Sequence, residues 1–177
     1  MTPGLPIAAI AARHHLPPQL VQAIVQVESG GDANAMRCEP AYPWLWNVRS
    51  GAPLPVSSAT ASRRLPPASF PSPRGSSRLT EWLGQQTSWG VMQVMGAVAR
   101  ELGYEGHFAG LCDPATGLDY GCRYLARLAG RFRLQHGWPG VVAAYNAGSP
   151  RLDAQGRFEN QVYVDKVARE GGFQGLA

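Results

Sequence analysis

No run of apolar residues in this chain is long enough to cross a membrane, no segment repeats another, and cysteine occurs only three times. The first absence removes any expectation of a membrane-spanning helix, and the second removes repeat architectures. Cys38, Cys112 and Cys122 make no C-x-x-C pair and stand beside no histidine cluster, so neither a metal centre nor a redox pair is indicated and no cofactor is called for. Buried thiols are the plain reading. A Cys112 to Cys122 bridge stays open, since sequence cannot establish its geometry. The apolar patch from Ile7 to Ala12 has no basic residue before it and no long apolar core, so it does not read as a secretory signal. Acidic residues are also few, 12 against 16 basic ones. The excess falls between residues 37 and 87, where Arg37, Arg49, Arg63, Arg64, Arg74 and Arg78 face only Glu39 and Glu81. These arginines are dispersed along a proline-rich stretch without a recognition motif, which speaks against a nucleic-acid partner.

What is present fits one globular unit spanning 1–177, with 45% hydrophobic residues and helical periodicity over most of its length. Pro17 and Pro18 open a helix that Gly30 and Gly31 close. Leu20, Val21, Ala23, Ile24, Val25 and Val27 cover most of its circumference, leaving Gln19, Gln22 and Gln26 as a polar strip, so it should be central and buried. A second helix is expected from Ser88 as N-cap through Val91, Met95, Val98 and Leu102. A third runs from Asp113 and Pro114 through Leu118, Cys122, Leu125, Ala129 and Phe132 to Gly137. Pro139 starts a short helix ending at Gly148, and Asn160 caps a last one carrying Val164 and Val167. The fold class is therefore all-α, interrupted by a largely irregular, proline-rich insertion at about 37–87 that holds eight of the 15 prolines. Within it Tyr42, Trp44 and Trp46 alternate, as in a short strand or an aromatic face for sugar rings, with core filling the expected fate of at least one.

Glu28 stands out among the carboxylates because it lies one helical turn from Ile24 and two from Val21 on an apolar helix. Partial desolvation and the negative end of the helix dipole both favour its protonated form, which suits a general acid. Two further patterns exceed the needs of packing: Ser88-Trp89-Gly90-Val91-Met92-Gln93, and Ala144-Tyr145-Asn146-Ala147-Gly148 at a helix end. For Met92, core filling and a wall for an acetamido methyl are equally open.

The ordered segments Glu28-Ser29-Gly30, Gly90-Val91-Met92-Gln93 and Ala144-Tyr145-Asn146-Ala147-Gly148 resemble the lytic transglycosylase SLT domain, in the lysozyme-like superfamily with goose-type lysozymes. Leu118-x-x-Gly121-x-x-Tyr124-Leu125 and Tyr163-Val164 are similar to its remaining motifs. The resemblance covers residues 17 to 36 and 87 to 168. It implies a lysozyme-like fold acting on peptidoglycan glycan strands as a monomer, with Glu28 as the single catalytic carboxylate. Met92, Gln93, Tyr145, Asn146 and Tyr163 would line the substrate site, Tyr163 positioning Glu28. The reaction it implies cuts between N-acetylmuramic acid and N-acetylglucosamine and leaves a 1,6-anhydro end.

Gly31-Asp32-Ala33-Asn34 departs from the Asn-Pro pair that follows the first motif, and Gly117 stands where the intermediate motif has Asn. If Glu39 or Glu81 returned to the cleft, hydrolysis by activated water would become possible, making the protein a hydrolytic muramidase. A non-catalytic peptidoglycan-binding virion component is the reading from another class. The expected place of action is the periplasm or cell wall, reached by a lysis, secretion or virion route.

Overall fold

The computed structural model describes residues 4–176. Along the chain these form α1 (Ile7–Arg13), α2 (Pro18–Ser29), β1 (Met36–Cys38), β2 (Trp44–Asn47), β3 (Ala52–Pro55), α3 (Ser58–Ala61), α4 (Arg78–Gln85), β4 (Thr87–Trp89), β5 (Val94–Met95), α5 (Gly96–Glu101), α6 (Pro114–Ala147) and α7 (Gln161–Arg169). The chain folds as two compact units, one made of the residues up to Gly31 with those from Gly121 onward, the other of Asp32–Tyr120.

The first unit is helical. Leu20, Val21, Ala23, Ile24 and Val25 of α2 are all buried, and the three glutamines form the expected exposed strip. Each buried aliphatic side chain contributes roughly 1.5–3 kcal/mol from the water it leaves, so this helix is held by its apolar faces. Gly30 ends it in the left-handed conformation and donates its N–H to Gln26 O. From α6 and α7 come Leu125, Leu128, Val141, Val142, Val164 and Val167, all buried. Asp113 caps α6, its Oδ1 accepting from Thr116 N at 2.9 Å and Thr116 Oγ1 at 2.8 Å. The expected break before Pro139 is present as well: Gly137 leaves helical geometry at φ 62°. No disulfide joins Cys38, Cys112 and Cys122; only Cys122 is buried, Cys112 being half-buried and Cys38 exposed.

The second unit corrects two expectations. Ser88 does not cap a helix; it lies in β4, and the helix begins only at Gly96. The reason is local. Gly90 (φ 71°) and Gln93 (φ 48°) both take left-handed backbone, turning the chain so that Trp89 pairs with Val94 in an antiparallel sheet ordered β1-β4-β5. The proline-rich segment is also more ordered than its composition implies. β2 and β3 form a hairpin, Ser57 caps α3 and Ser77 caps α4, each accepting a backbone N–H from Thr60 or Thr80. This order has its own core of Leu45, Phe70, Trp82 and Ala97, with Tyr42, Leu54 and Val56 packed against it. Phe70 meets Trp82 edge to face at 4.9 Å.

Under that core lies a buried ion pair. Arg100 Nε donates to Glu81 Oε1 at 2.9 Å and Nη2 to Oε2 at 3.0 Å, while Nη1 donates to the carbonyls of Tyr104 and Gly106. Gln85 Nε2 completes the set on Glu81 Oε1.

Gly90 is required twice over, by its positive φ and because a Cβ there would sit 2.3 Å from Leu111 O. Gly90→Ala is expected to destabilise the protein by about 2–3 kcal/mol or more, read as a lower urea midpoint; an unchanged midpoint would refute the close approach. The same carbonyl explains Gly117, where an added Cβ would lie 2.6 Å from Leu111 O.

Candidate active site

The candidate acid and its neighbours come together in the first unit. Glu28 occupies the last full turn of α2, half-buried, where the helix dipole presents its negative end. Tyr163, in the first turn of α7, donates its hydroxyl to Glu28 Oε1 at 2.5 Å. Two polar ties hold the helix ends around this contact. Ser29 Oγ donates back to Val25 O and accepts from Gly31 N, which stiffens the end of α2. Asn160 Nδ2 donates to Ala143 O at 3.0 Å and to Asn146 Oδ1 at 2.9 Å, joining the end of α6 to the start of α7 one turn before Tyr163. Asn160 thus stands at the N-cap position, but its side chain bridges two helices and makes no cap bond.

Tyr145 is buried near the end of α6, its ring tilted against that of Tyr124 at 5.3 Å. Burial, then the negative charge of Glu28, then the Tyr163 phenol push its pKa well above the ordinary 10.0. Tyr163 is pushed up in the same direction by burial, by the charge of Glu28 and by the bond to it. Both phenols therefore keep their protons at physiological pH. Tyr163 meets the carboxylate as a donor and neither phenol competes with it as an anion.

The other motif residues have different tasks. Gln93 organises its own turn in the second unit, its Nε2 donating to Ala35 O and Gly90 O and its Oε1 accepting from Ser88 Oγ. Met92 is fully buried, so it fills the core and has no surface to offer a sugar. Asn146 is exposed. Glu81 is fully buried on Arg100 and Glu39 is paired with Arg37 at 2.6 Å, so each of the alternative carboxylates has a cationic partner of its own. Asn160 and Tyr124 are the neighbours that sequence reasoning did not place at the site. Asn160 carried a signal, an Asn at a helix start close to the third motif, but it read equally well as a cap.

The model of the family described as Transglycosylase SLT domain matches residues 6–163. The chain belongs to that family. Domains of this kind are generally lytic transglycosylases with peptidoglycan as substrate, and the lysozyme-like, mainly α fold class holds for this SLT domain. No curated protein and no solved structure matches the chain. Among the described residues no helix is long and apolar enough to cross a membrane.

Tyr163→Phe removes one hydrogen bond to a carboxylate without changing the ring. Hydrogen bonds of that kind are worth about 1.5–3 kcal/mol, so kcat of this SLT domain should fall roughly 10- to 100-fold with little change in KM. Stability has a pH signature of the same contact. Below pH 10 both phenols are neutral whether the chain is folded or not; above it the unfolded chain ionises them and the folded chain resists. Stability is thus present below about pH 10 and is lost as pH rises beyond it. Thermal melts from neutral to alkaline pH should show that decline in the wild type and a shallower one in Tyr163→Phe; parallel declines would refute the assignment.

Proposed function

We propose that this SLT domain is a peptidoglycan lytic transglycosylase that cleaves the β-1,4 bond between N-acetylmuramic acid and N-acetylglucosamine, with Glu28 serving first as acid and then as base. The observation that carries the reading is the half-buried Glu28 carboxylate at a helix end, held at 2.5 Å by a tyrosine hydroxyl that stays protonated.

The chemistry follows from that contact. Because Tyr163 donates to Oε1, the proton of the neutral acid resides on Oε2. Transfer of this proton to the glycosidic oxygen releases the N-acetylglucosamine side as an alcohol and leaves positive charge at the muramic acid C1. The resulting carboxylate takes the proton from the sugar's own 6-hydroxyl, whose oxygen closes on C1. Glu28 ends as it began, no water is consumed, and the product carries a 1,6-anhydro ring. An intramolecular nucleophile arrives at high effective concentration, so a second carboxylate is unnecessary. Tyr163 acts as a positioning residue for Glu28, Tyr145 as a neutral phenol near it, and the exposed Asn146, steadied by the half-buried Asn160, as the amide available to substrate.

Hydrolysis through a second carboxylate that activates water is disfavoured, because Glu81 and Glu39 are each engaged in an ion pair. A protein of this activity works where peptidoglycan lies, in the periplasm or cell wall. Digestion of purified sacculi followed by mass spectrometry of the muropeptide ends tests the reading. Anhydro ends support it, whereas reducing ends would make the protein a hydrolase and no ends at all would make it a binding module.

A further inference from the structure

The β2–β3 hairpin presents an aromatic face, with Trp44 exposed and Trp46 half-buried. Leu45 turns into the core, so Trp44 and Trp46 share the opposite face of the strand, and Trp44 is 66% exposed. Their cross-strand partners are Pro55 and Pro53, which makes the face a row of rings without a charge. Trp46 then forms one wall of a cavity of about 910 Å³, whose other walls include Tyr104, Arg49, Arg74, Glu101 and Glu105.

This platform is anchored from below. The buried Gln85 accepts from Trp46 N at 2.7 Å and donates to Trp46 O at 2.9 Å, and the same amide is bonded to Glu81, which Arg100 clamps. A buried ion pair adds little net stability. Here it fixes the strand that carries the two indoles. Arg49 and Arg74 are both exposed, and neither has a carboxylate within ion-pair reach among the described residues.

We infer that this surface is a second glycan-binding site, taking a strand of N-acetylated amino sugars that bears carboxylates. Pyranose C–H faces stack on Trp44 and Trp46, carboxylates of the lactyl or peptide substituents meet Arg49 and Arg74, and hydroxyl and amide hydrogens meet Glu101 and Glu105. The uncharged row of Trp44, Trp46, Pro53 and Pro55 offers stacking faces to sugar rings and no cation to a phosphate, which favours a glycan over a phosphate polymer or an anionic membrane. The identity of the glycan rests on the peptidoglycan reading above. All residues of this surface belong to the second unit, whereas Glu28, Tyr145 and Tyr163 belong to the first.

The test is binding of the full chain to insoluble sacculi by sedimentation, and to soluble peptide-bearing glycan fragments by tryptophan fluorescence, with Glu28→Gln as parent to prevent cleavage. Trp44→Ala and Arg74→Ala should each weaken binding roughly five- to tenfold, and Trp44→Phe should retain most of the affinity. Thermal melts establish that each variant is folded, as the exposure of both side chains leads one to expect. Parental affinity in both Trp44→Ala and Arg74→Ala overturns the inference. The two readings separate cleanly: wild type that releases no anhydro ends, with the binding losses still present, removes the catalytic reading and keeps this site; cleavage with unchanged binding does the reverse.

Discussion

Replacing Glu28 with glutamine is expected to lower turnover on peptidoglycan by about 10²–10⁴-fold, the range that positioned acid–base catalysis supplies. The change keeps the shape of the side chain and an oxygen that can accept from Tyr163, so the melting temperature should stay near that of the wild type. Loss of activity with retained stability therefore isolates proton transfer from packing. Glu28→Asp keeps the charge but withdraws the carboxyl by one methylene from the Tyr163 hydroxyl that holds it at 2.5 Å, and it should lose most activity too, because placement matters as much as acidity. Muropeptide ends counted by mass spectrometry read both variants. A Glu28→Gln protein retaining more than about a tenth of wild-type turnover would remove Glu28 from the chemistry.

The second large effect concerns stability. Glu81 and Arg100 have side-chain exposures of 0% and 5% and share two hydrogen bonds, so removing either partner leaves the other charge stranded out of water. Glu81→Leu or Arg100→Met alone should destabilise the protein by about 3–5 kcal/mol. The double variant, which replaces both charges with apolar groups, should recover much of that loss, since the pair itself contributes little net stability. Chemical denaturation of the two single variants and the double variant decides it. Equal losses in the double and single variants would mean that the pair is itself strongly stabilising.

Much of the helical scaffold was legible because helix periodicity, proline starts and glycine stops are local signals. The limits of α2, the start of α6 at Asp113 and its break near Pro139 all follow from residues within a few positions of the feature. The helix expected from Ser88 failed for a reason of the opposite kind. Its apolar spacing was real, but two left-handed residues, one of them the non-glycine Gln93, turn the backbone into a strand pair whose partners lie on β1 and β5. The proline-rich stretch misled in a similar way. Proline excludes long helices, but it does not exclude an edge hairpin, where Pro53 and Pro55 pair with Trp46 and Trp44.

The site shows the same division. Glu28 could be singled out because a carboxylate on an apolar helix is anomalous within one turn of chain, and the ordered motifs carried the family. Sequence by itself determined the helical class, the unusual carboxylate and the proline-rich composition of residues 37–87. The motif resemblance implied that Tyr163, 135 residues away, positions Glu28, and tertiary structure supplied the hydrogen bond; tertiary structure alone decided that Gln93 and Met92 serve their own turn and core, and that Glu81 is bound to Arg100 and not left as a spare carboxylate. The physical reason is reach: periodicity and capping are written in neighbouring residues, whereas a hydrogen-bond partner is chosen by which distant side chains the packed helices bring within about 3 Å.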